Sequence, residues 1–207
     1  MARIPKKPLE WVLEEQYYEQ GFTVICGTDE AGRGPLVGPV TAAACILPRG
    51  LIIAELNDSK QISEKKRERL YEIIVENAVS WAVEAVEPEI IDQINILNAS
   101  QLAMRRAVAR LTPVPDLVLV DGNVARDFPI KAVPIIKGDG ISPNIAAASI
   151  LAKVSRDRLC IQLDAQYPEY GIAGHKGYPT KEHMDAVRKY GPCPAHRKSF
   201  LGFLNKE

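Results

Sequence analysis

Residues 27–39 read Gly-Thr-Asp-Glu-Ala-Gly-Arg-Gly-Pro-Leu-Val-Gly-Pro. An apolar run, Phe22 to Cys26, leads directly into two adjacent carboxylates, Asp29 and Glu30. A glycine–arginine–glycine turn, Gly32-Arg33-Gly34, follows and is closed by Pro35. Acids placed side by side at a strand end repel one another unless something positive sits between them. Glycines around a single arginine let main-chain N–H groups approach a ligand closely. Asp-Glu alone is an ordinary polar turn after a strand. The whole string points to a divalent metal bound beside a phosphate.

Outward from this stretch, the chain alternates strand and helix signals. A leading helix is predicted over residues 9–20, stopped by Gly21, and a first strand over 22–28. Residues 36–47 read as a second strand with an irregular Gly38-Pro39 entry. Residues 63–78 carry a helical stripe of Leu70, Ile73 and Ile74 behind a Ser63 cap. Trp81 to Glu87 reads as a strand, and Pro88 opens a short helix as its first residue. A helix is predicted from Asn98 to Leu111, ended by Pro113 and Pro115. Leu117-Val118-Leu119-Val120 is continuously apolar, as befits a strand covered on both faces. A last strand spans 132–136, and a long alanine-rich helix runs from about Asn144 to Gln166. Beyond Pro168 the chain reads as loop and helix, with a helix at 180–190 stopped by Gly191-Pro192. Three early strands, then two alternating with helices, imply a mixed α/β sheet wrapped by helices. No repeat or low-complexity linker divides the chain, so a single domain over 1–207 is expected, with about 168–207 as a helical C-terminal part.

Three of the apolar segments stop at acids: Asp29-Glu30, Asp121 and Asp139. An aspartate after a strand is usually a turn-former. Three of them, each beside a glycine-containing turn on strands expected to be neighbours, are better explained by one shared site. Ligand sites in such sheets lie beyond the carboxyl ends of central strands. Hard oxygen ligands without a nearby histidine favour Mg²⁺ or Mn²⁺ over Zn²⁺. Two such ions ~3.5–4 Å apart would suit in-line phosphodiester hydrolysis.

The basic residues are grouped as well. Lys60 sits in Asn57-Asp58-Ser59-Lys60, and Lys65, Lys66, Arg67 and Arg69 follow on a helix start that reads as a solvated face. Lys153, Arg156 and Arg158 lie on the long helix. In His175-Lys176-Gly177-Tyr178, a tyrosine in a basic glycine loop is suited to stack on a sugar or base while the lysine meets phosphate. His183 and His196 read most simply as surface or structural histidines.

Composition sets outer bounds. Among 207 residues, 26 basic and 26 acidic side chains cancel, which argues against a purely electrostatic nucleic-acid coat. Cys26, Cys45, Cys160 and Cys193 are too dispersed for a zinc site or a disulfide framework. With no apolar leader and no membrane-length apolar run, a soluble, cytoplasmic protein is expected.

The opening string resembles the signature of bacterial ribonuclease HII. So do Asn57-Asp58-Ser59-Lys60, Val120-Asp121-Gly122-Asn123, Lys137-Gly138-Asp139, residues 145–154, Tyr170-Gly171 with His175-Lys176-Gly177-Tyr178, and His196-Arg197-Lys198-Ser199-Phe200. These blocks run in family order across nearly the whole chain. The resemblance implies a ribonuclease H-like fold: a five-stranded mixed sheet flanked by helices, with a helical C-terminal extension. It implies a metal-dependent endonuclease that cuts the RNA strand of RNA–DNA hybrids. It also implies incision 5′ to ribonucleotides embedded in duplex DNA, leaving a 3′-hydroxyl and a 5′-phosphate.

Carried over by motif, Asp29, Glu30, Asp121 and Asp139 would be the catalytic, metal-binding carboxylates, Asp139 more catalytic than tightly metal-bound. Gly32, Arg33 and Gly34 would contact the ribonucleotide, Tyr178 would pack on the deoxyribose that follows, and Lys60 would hold a backbone phosphate. The glycine–arginine–glycine form resembles ribonuclease HII rather than HIII. Residues Ile141 to Asn144 depart mildly from the family pattern, where more serine is expected. Partners would be RNA–DNA hybrid and ribonucleotide-containing duplex DNA, and a monomer is expected. Two alternatives stay open: a proofreading-type exonuclease, whose first two acids are usually spaced by one residue, and a non-catalytic hybrid-binding module.

Overall fold

The computed structural model describes residues 8–56 and 62–205. A five-stranded sheet in the order β3-β2-β1-β4-β5 forms its centre. The strands are β1 (Ile25–Ala31), β2 (Val40–Ile46), β3 (Ser80–Val86), β4 (Leu117–Asp121) and β5 (Lys131–Ile135). β1 pairs antiparallel with β2 and parallel with β4, so the mixed sheet changes sense at β1. The helices are α1 (Val12–Glu19), α2 (Glu64–Asn77), α3 (Pro88–Ala109), α4 (Pro143–Gln166), α5 (Ile172–His175) and α6 (Lys181–Tyr190).

Both faces of the sheet are covered, which is why its central strands are apolar without alternation. On one face Ala42, Ala44, Val118 and Val120 pack with Met104 and Ala107 of α3. On the other, Ala43 and Cys45 meet Ala146, Ala147 and Ile150 of α4. Small side chains bring α4 very close to the sheet. A Cβ on Gly27 would lie 2.3 Å from the backbone of Asn144 and Ile145, so only glycine permits this crossing. Ser142 caps α4 by accepting from the Ile145 amide, and Pro143 occupies its first position. Buried Glu14 accepts from the Ser142 hydroxyl at 2.6 Å, and burial raises its carboxyl above the ordinary value.

Several boundaries differ from the sequence reading. β1 was expected to end near residue 28 yet continues to Ala31, because Asp29 and Glu30 stay in register with Ala43 and Ala42 of β2. β2 starts at Val40, after the Gly38-Pro39 irregularity rather than before it. The two predicted helices after Pro88 are joined as α3, with a left-handed break at Asn95. The Asn95 side chain accepts from the Asn98 amide and so caps the second segment. Tail residues Phe200 and Leu201 pack into the molecule's own apolar clusters, and Asp92 accepts from the amides of Lys198 and Ser199. Among the described residues no helix is long and apolar enough to cross a membrane.

Candidate active site

The ends of β1 and β4 define the acidic side of the site. Parallel pairing reaches Thr28 opposite Val120, so Asp29 and Asp121 are the next residues on two neighbouring strands. Strands in a sheet lie about 4.8 Å apart, which brings the two carboxylates together. Asp29 is buried, and its carboxyl is held well above the ordinary carboxylate range. Burial is the main cause, followed by the charges of Glu30 and then Asp121. Hydrogen bonds from Ser149 and the Glu30 amide pull the other way. Asp121 accepts from the Gly138 amide at 2.7 Å, which ties the β4 end to the turn after β5. Buried Asp139 is the next residue in that turn.

Sequence reasoning thus anticipated the neighbourhood of Asp29, Glu30 and Asp121, with Asp139 one residue beyond the amide that Asp121 holds. Among the described residues no three carboxylate, histidine or cysteine side chains form a ready-made ligand cage. The donor set nevertheless fits a hard divalent cation. Magnesium keeps several of its waters and is commonly held by one or two carboxylates together with substrate phosphates. The repulsion from Glu30 and Asp121 that adds to burial in raising Asp29 is one that a bound cation would relieve.

Asp29 and Glu30 line a cleft of about 560 Å³ together with the Gly32-Arg33-Gly34 turn and Tyr178, whereas Asp121 and Asp139 lie beside the acids without lining it. Arg33 lies 3.5 Å from Glu30. Gly32 has φ +94°, and a Cβ there would strike the Arg156 side chain at 1.9 Å, so this position is closed to other residues. A Cβ on Gly34 would lie 3.3 Å from the Tyr178 ring. Tyr178 is 44% exposed and lines the cleft. Lys60 lies outside the described residues, so its expected phosphate contact has no structural counterpart here.

The sequence reading left several participants without a role in the site. Arg67 was assigned to a solvated helix face, but it is only partly exposed, lines the cleft and lies 3.8 Å from Asp157. Ser149, Lys153 and Arg156 also line the cleft. Their spacing of four and three residues puts them on one face of α4, a signal that was present in the sequence. Lys153 donates to Asp157 at 2.6 Å. Arg197, which the sequence offers as part of a basic group and of the His196–Phe200 block but with no role, is fully buried against the glycine–arginine–glycine turn.

His183 and His196 are structural histidines, buried rather than superficial. His183 Nδ1 donates to the Tyr178 carbonyl at 3.0 Å, and its Nε2 faces His196 Nε2 at 3.2 Å. His196 Nδ1 accepts from the Cys193 amide at 3.1 Å. One neutral assignment satisfies the series, with His196 Nε2–H donating to His183. His175 stacks on His183 at 4.3 Å. Burial lowers both His183 and His196, the latter to about 4, with the neighbouring His183 adding to the effect.

A family model described as Ribonuclease HII matches residues 26–202. The ribonuclease HII of Ruminiclostridium cellulolyticum is 52% identical over 188 residues, covering 91% of this chain and 74% of that protein. Among solved structures, the ribonuclease H2 from Pyrococcus horikoshii OT3 superposes with a TM-score of 0.70 at 25% identity. The match covers 89% of this chain and 100% of that one. The Bst ribonuclease HIII, solved in complex with Mn²⁺, shares the fold with a TM-score of 0.57 at 18% identity. It covers 89% of this chain and 71% of that one. The five-stranded mixed sheet with flanking helices is therefore the ribonuclease H-like fold.

Proposed function

The chain belongs to the ribonuclease HII family, endoribonucleases that cleave the RNA strand of RNA–DNA hybrids, and from that premise we propose that its cleft also incises 5′ to single ribonucleotides in duplex DNA. The products would be a 3′-hydroxyl and a 5′-phosphate. The observation that carries this reading is the meeting in one cleft of Asp29 and Glu30, with Asp121 beside them at the β4 end, with a glycine-flanked turn and Tyr178.

In this reading Asp29, Glu30, Asp121 and Asp139 hold Mg²⁺ or Mn²⁺. A pair of such ions, when bound, supplies activation of the attacking water and stabilisation of the leaving 3′-oxygen. Asp29 and Asp121, fixed by their strands, orient that chemistry in line with the scissile phosphate. The amides of the Gly32-Arg33-Gly34 turn read the 2′-hydroxyl, which both donates and accepts hydrogen bonds. A deoxyribonucleotide there would leave a polar group unpaired, at a cost of ~1–3 kcal/mol. Tyr178 packs on the deoxyribose that follows, and Lys60 holds a backbone phosphate. The protein acts as a cytoplasmic monomer, one catalytic unit whose residues from about 168 to 207 help bind substrate, in ribonucleotide excision repair and DNA replication.

The test is incubation with an end-labelled duplex carrying one ribonucleotide, with and without divalent metal. A metal-dependent cut immediately 5′ to the ribonucleotide is expected. A cut elsewhere, or one that persists in chelator, would remove the proposal.

A further inference from the structure

Arg197 is a buried cation whose hydrogen bonds all go to main-chain carbonyls. Its Nε donates to Gly38 O at 2.8 Å, Nη1 to Pro35 O at 2.8 Å and Arg33 O at 3.1 Å, and Nη2 to Gly32 O at 2.7 Å. Among the described residues no carboxylate forms an ion pair with it. A charge buried in that way is costly unless its donors are all well placed. The planar guanidinium fork is the one side chain able to gather four carbonyls of a single turn.

Peptide geometry then decides where the turn's amides go. The bonds concerned are trans, the only cis bond among the described residues being Thr112-Pro113. In a trans peptide the C=O and the following N–H point in opposite directions. Four carbonyls drawn inward by Arg197 therefore send the next four positions outward. Of these, Leu36 donates to Gly177 O at 2.8 Å, and Pro39 has no N–H. The amides of Arg33 and Gly34 remain, and both residues line the cleft.

Arg156 buttresses the same turn from below. It donates to Val37 O at 3.4 Å and Lys176 O at 3.0 Å, and its stem fills the space that a side chain at residue 32 would need. The turn is thus backed by two buried arginines and has no acidic residue paired with Arg197. Their proximity is itself unfavourable: burial and then the charge of Arg156 pull Arg197 down to about 9.

We propose that Arg197 is a specificity-determining positioning residue, which aims the Arg33 and Gly34 amides at the ribose 2′-hydroxyl by holding the carbonyls behind them. This rests on reading the Gly32-Arg33-Gly34 turn as the ribose reader, so the experiment separates the two. The variant Arg197→Lys keeps the charge and the stem but loses the fork. Its affinity for a duplex with one ribonucleotide and for the all-deoxy duplex of the same sequence is measured by fluorescence anisotropy. Mg²⁺ is supplied, and an Asp121→Asn background limits turnover. Thermal unfolding reports whether the variant is folded.

With wild-type Arg197 the ribonucleotide duplex should bind more tightly. Arg197→Lys should lower that preference about tenfold while changing affinity for the all-deoxy duplex by less than about threefold. Equal weakening on both duplexes, or an unchanged preference, would mean that Arg197 is only a structural staple. Absence of any preference with Arg197 intact would overturn the ribose-reading turn, and this inference with it. If Arg197→Lys does not fold, amide chemical shifts decide the matter in the Asp121→Asn protein. Arg33 and Gly34 should shift with the ribonucleotide duplex well beyond their shift with the all-deoxy duplex, and equal shifts would overturn the proposal.

Discussion

The two walls of the cleft handle buried charge in opposite ways. On the acidic wall, Asp29 sits beside Glu30 and Asp121, and its carboxyl resists ionisation because it is buried and because its neighbours carry the same sign. On the glycine wall, Arg197 is as deeply buried, yet four carbonyls answer it. One wall is electrostatically incomplete and suited to a mobile cation with its waters. The other has the hydrogen bonds of Arg197 made before substrate arrives. Preorganised dipoles cost no reorganisation at the moment of reaction, so the finished wall suits recognition and the unfinished one suits metal-assisted chemistry.

If the acidic wall is the chemical one, Asp121→Asn should reduce cleavage about 10³-fold with Mg²⁺ or Mn²⁺ supplied, since metal-assisted stabilisation is worth several kcal/mol. Hybrid binding should change little, and a single-turnover assay beside a filter-binding titration reads both. Gly32→Ala attacks the finished wall by forcing a side chain onto Arg156 at a positive φ. We expect a loss of about 2–4 kcal/mol in urea unfolding from strain and overpacking; an unchanged midpoint would mean the turn is not held against Arg156.

A smaller effect concerns the histidines behind Tyr178. His196 faces His183, lies against the Tyr170 ring and is bonded by the Cys193 amide, all of which suit a neutral ring. Above pH 6.5 both the folded and unfolded chains keep it neutral, and stability is flat in this group. Between pH 6.5 and about 4 only the unfolded chain takes up the proton, so stability falls as pH falls. The loss should be of order 1–3 kcal/mol, and a His196→Gln variant should show a shallower pH slope over that window. Smallest of all, Tyr178→Ala should slow incision at a single ribonucleotide about tenfold, in line with one lost stacking contact. Cleavage of a long hybrid should fall less. Equal losses on the two substrates would show that Tyr178 does not sense the junction.

What the sequence made legible follows from local chemistry. An apolar run stopping at an acid identified the end of β4 at Asp121 and placed Asp29 and Glu30 near the end of β1, and with them three of the four carboxylates' surroundings. The register extending β1 to Ala31 was hidden because it depends on Ala42 and Ala43, whose small side chains accept acids as cross-strand neighbours. Arg67 was misread because helical spacing alone cannot say which polar face meets a second helix. Arg197 was the least legible residue. Arginine is rarely buried, and its burial here requires carbonyls that lie some 160 positions earlier in the chain. On the alanine-rich α4, Lys153 and Arg156 read only as a basic group, because the surrounding apolar residues dominate the pattern and hide the stripe they form with Ser149.

The separation of the two walls is tested most directly by one variant, Asp29→Asn, assayed for cleavage and for binding on the same pair of duplexes, one with a single ribonucleotide and one all-deoxy. Cleavage should fall about 10³-fold while the preference for the ribonucleotide duplex persists. Undiminished cleavage, or a preference that disappears together with cleavage, would contradict the division of the cleft into a chemical wall and a reading wall.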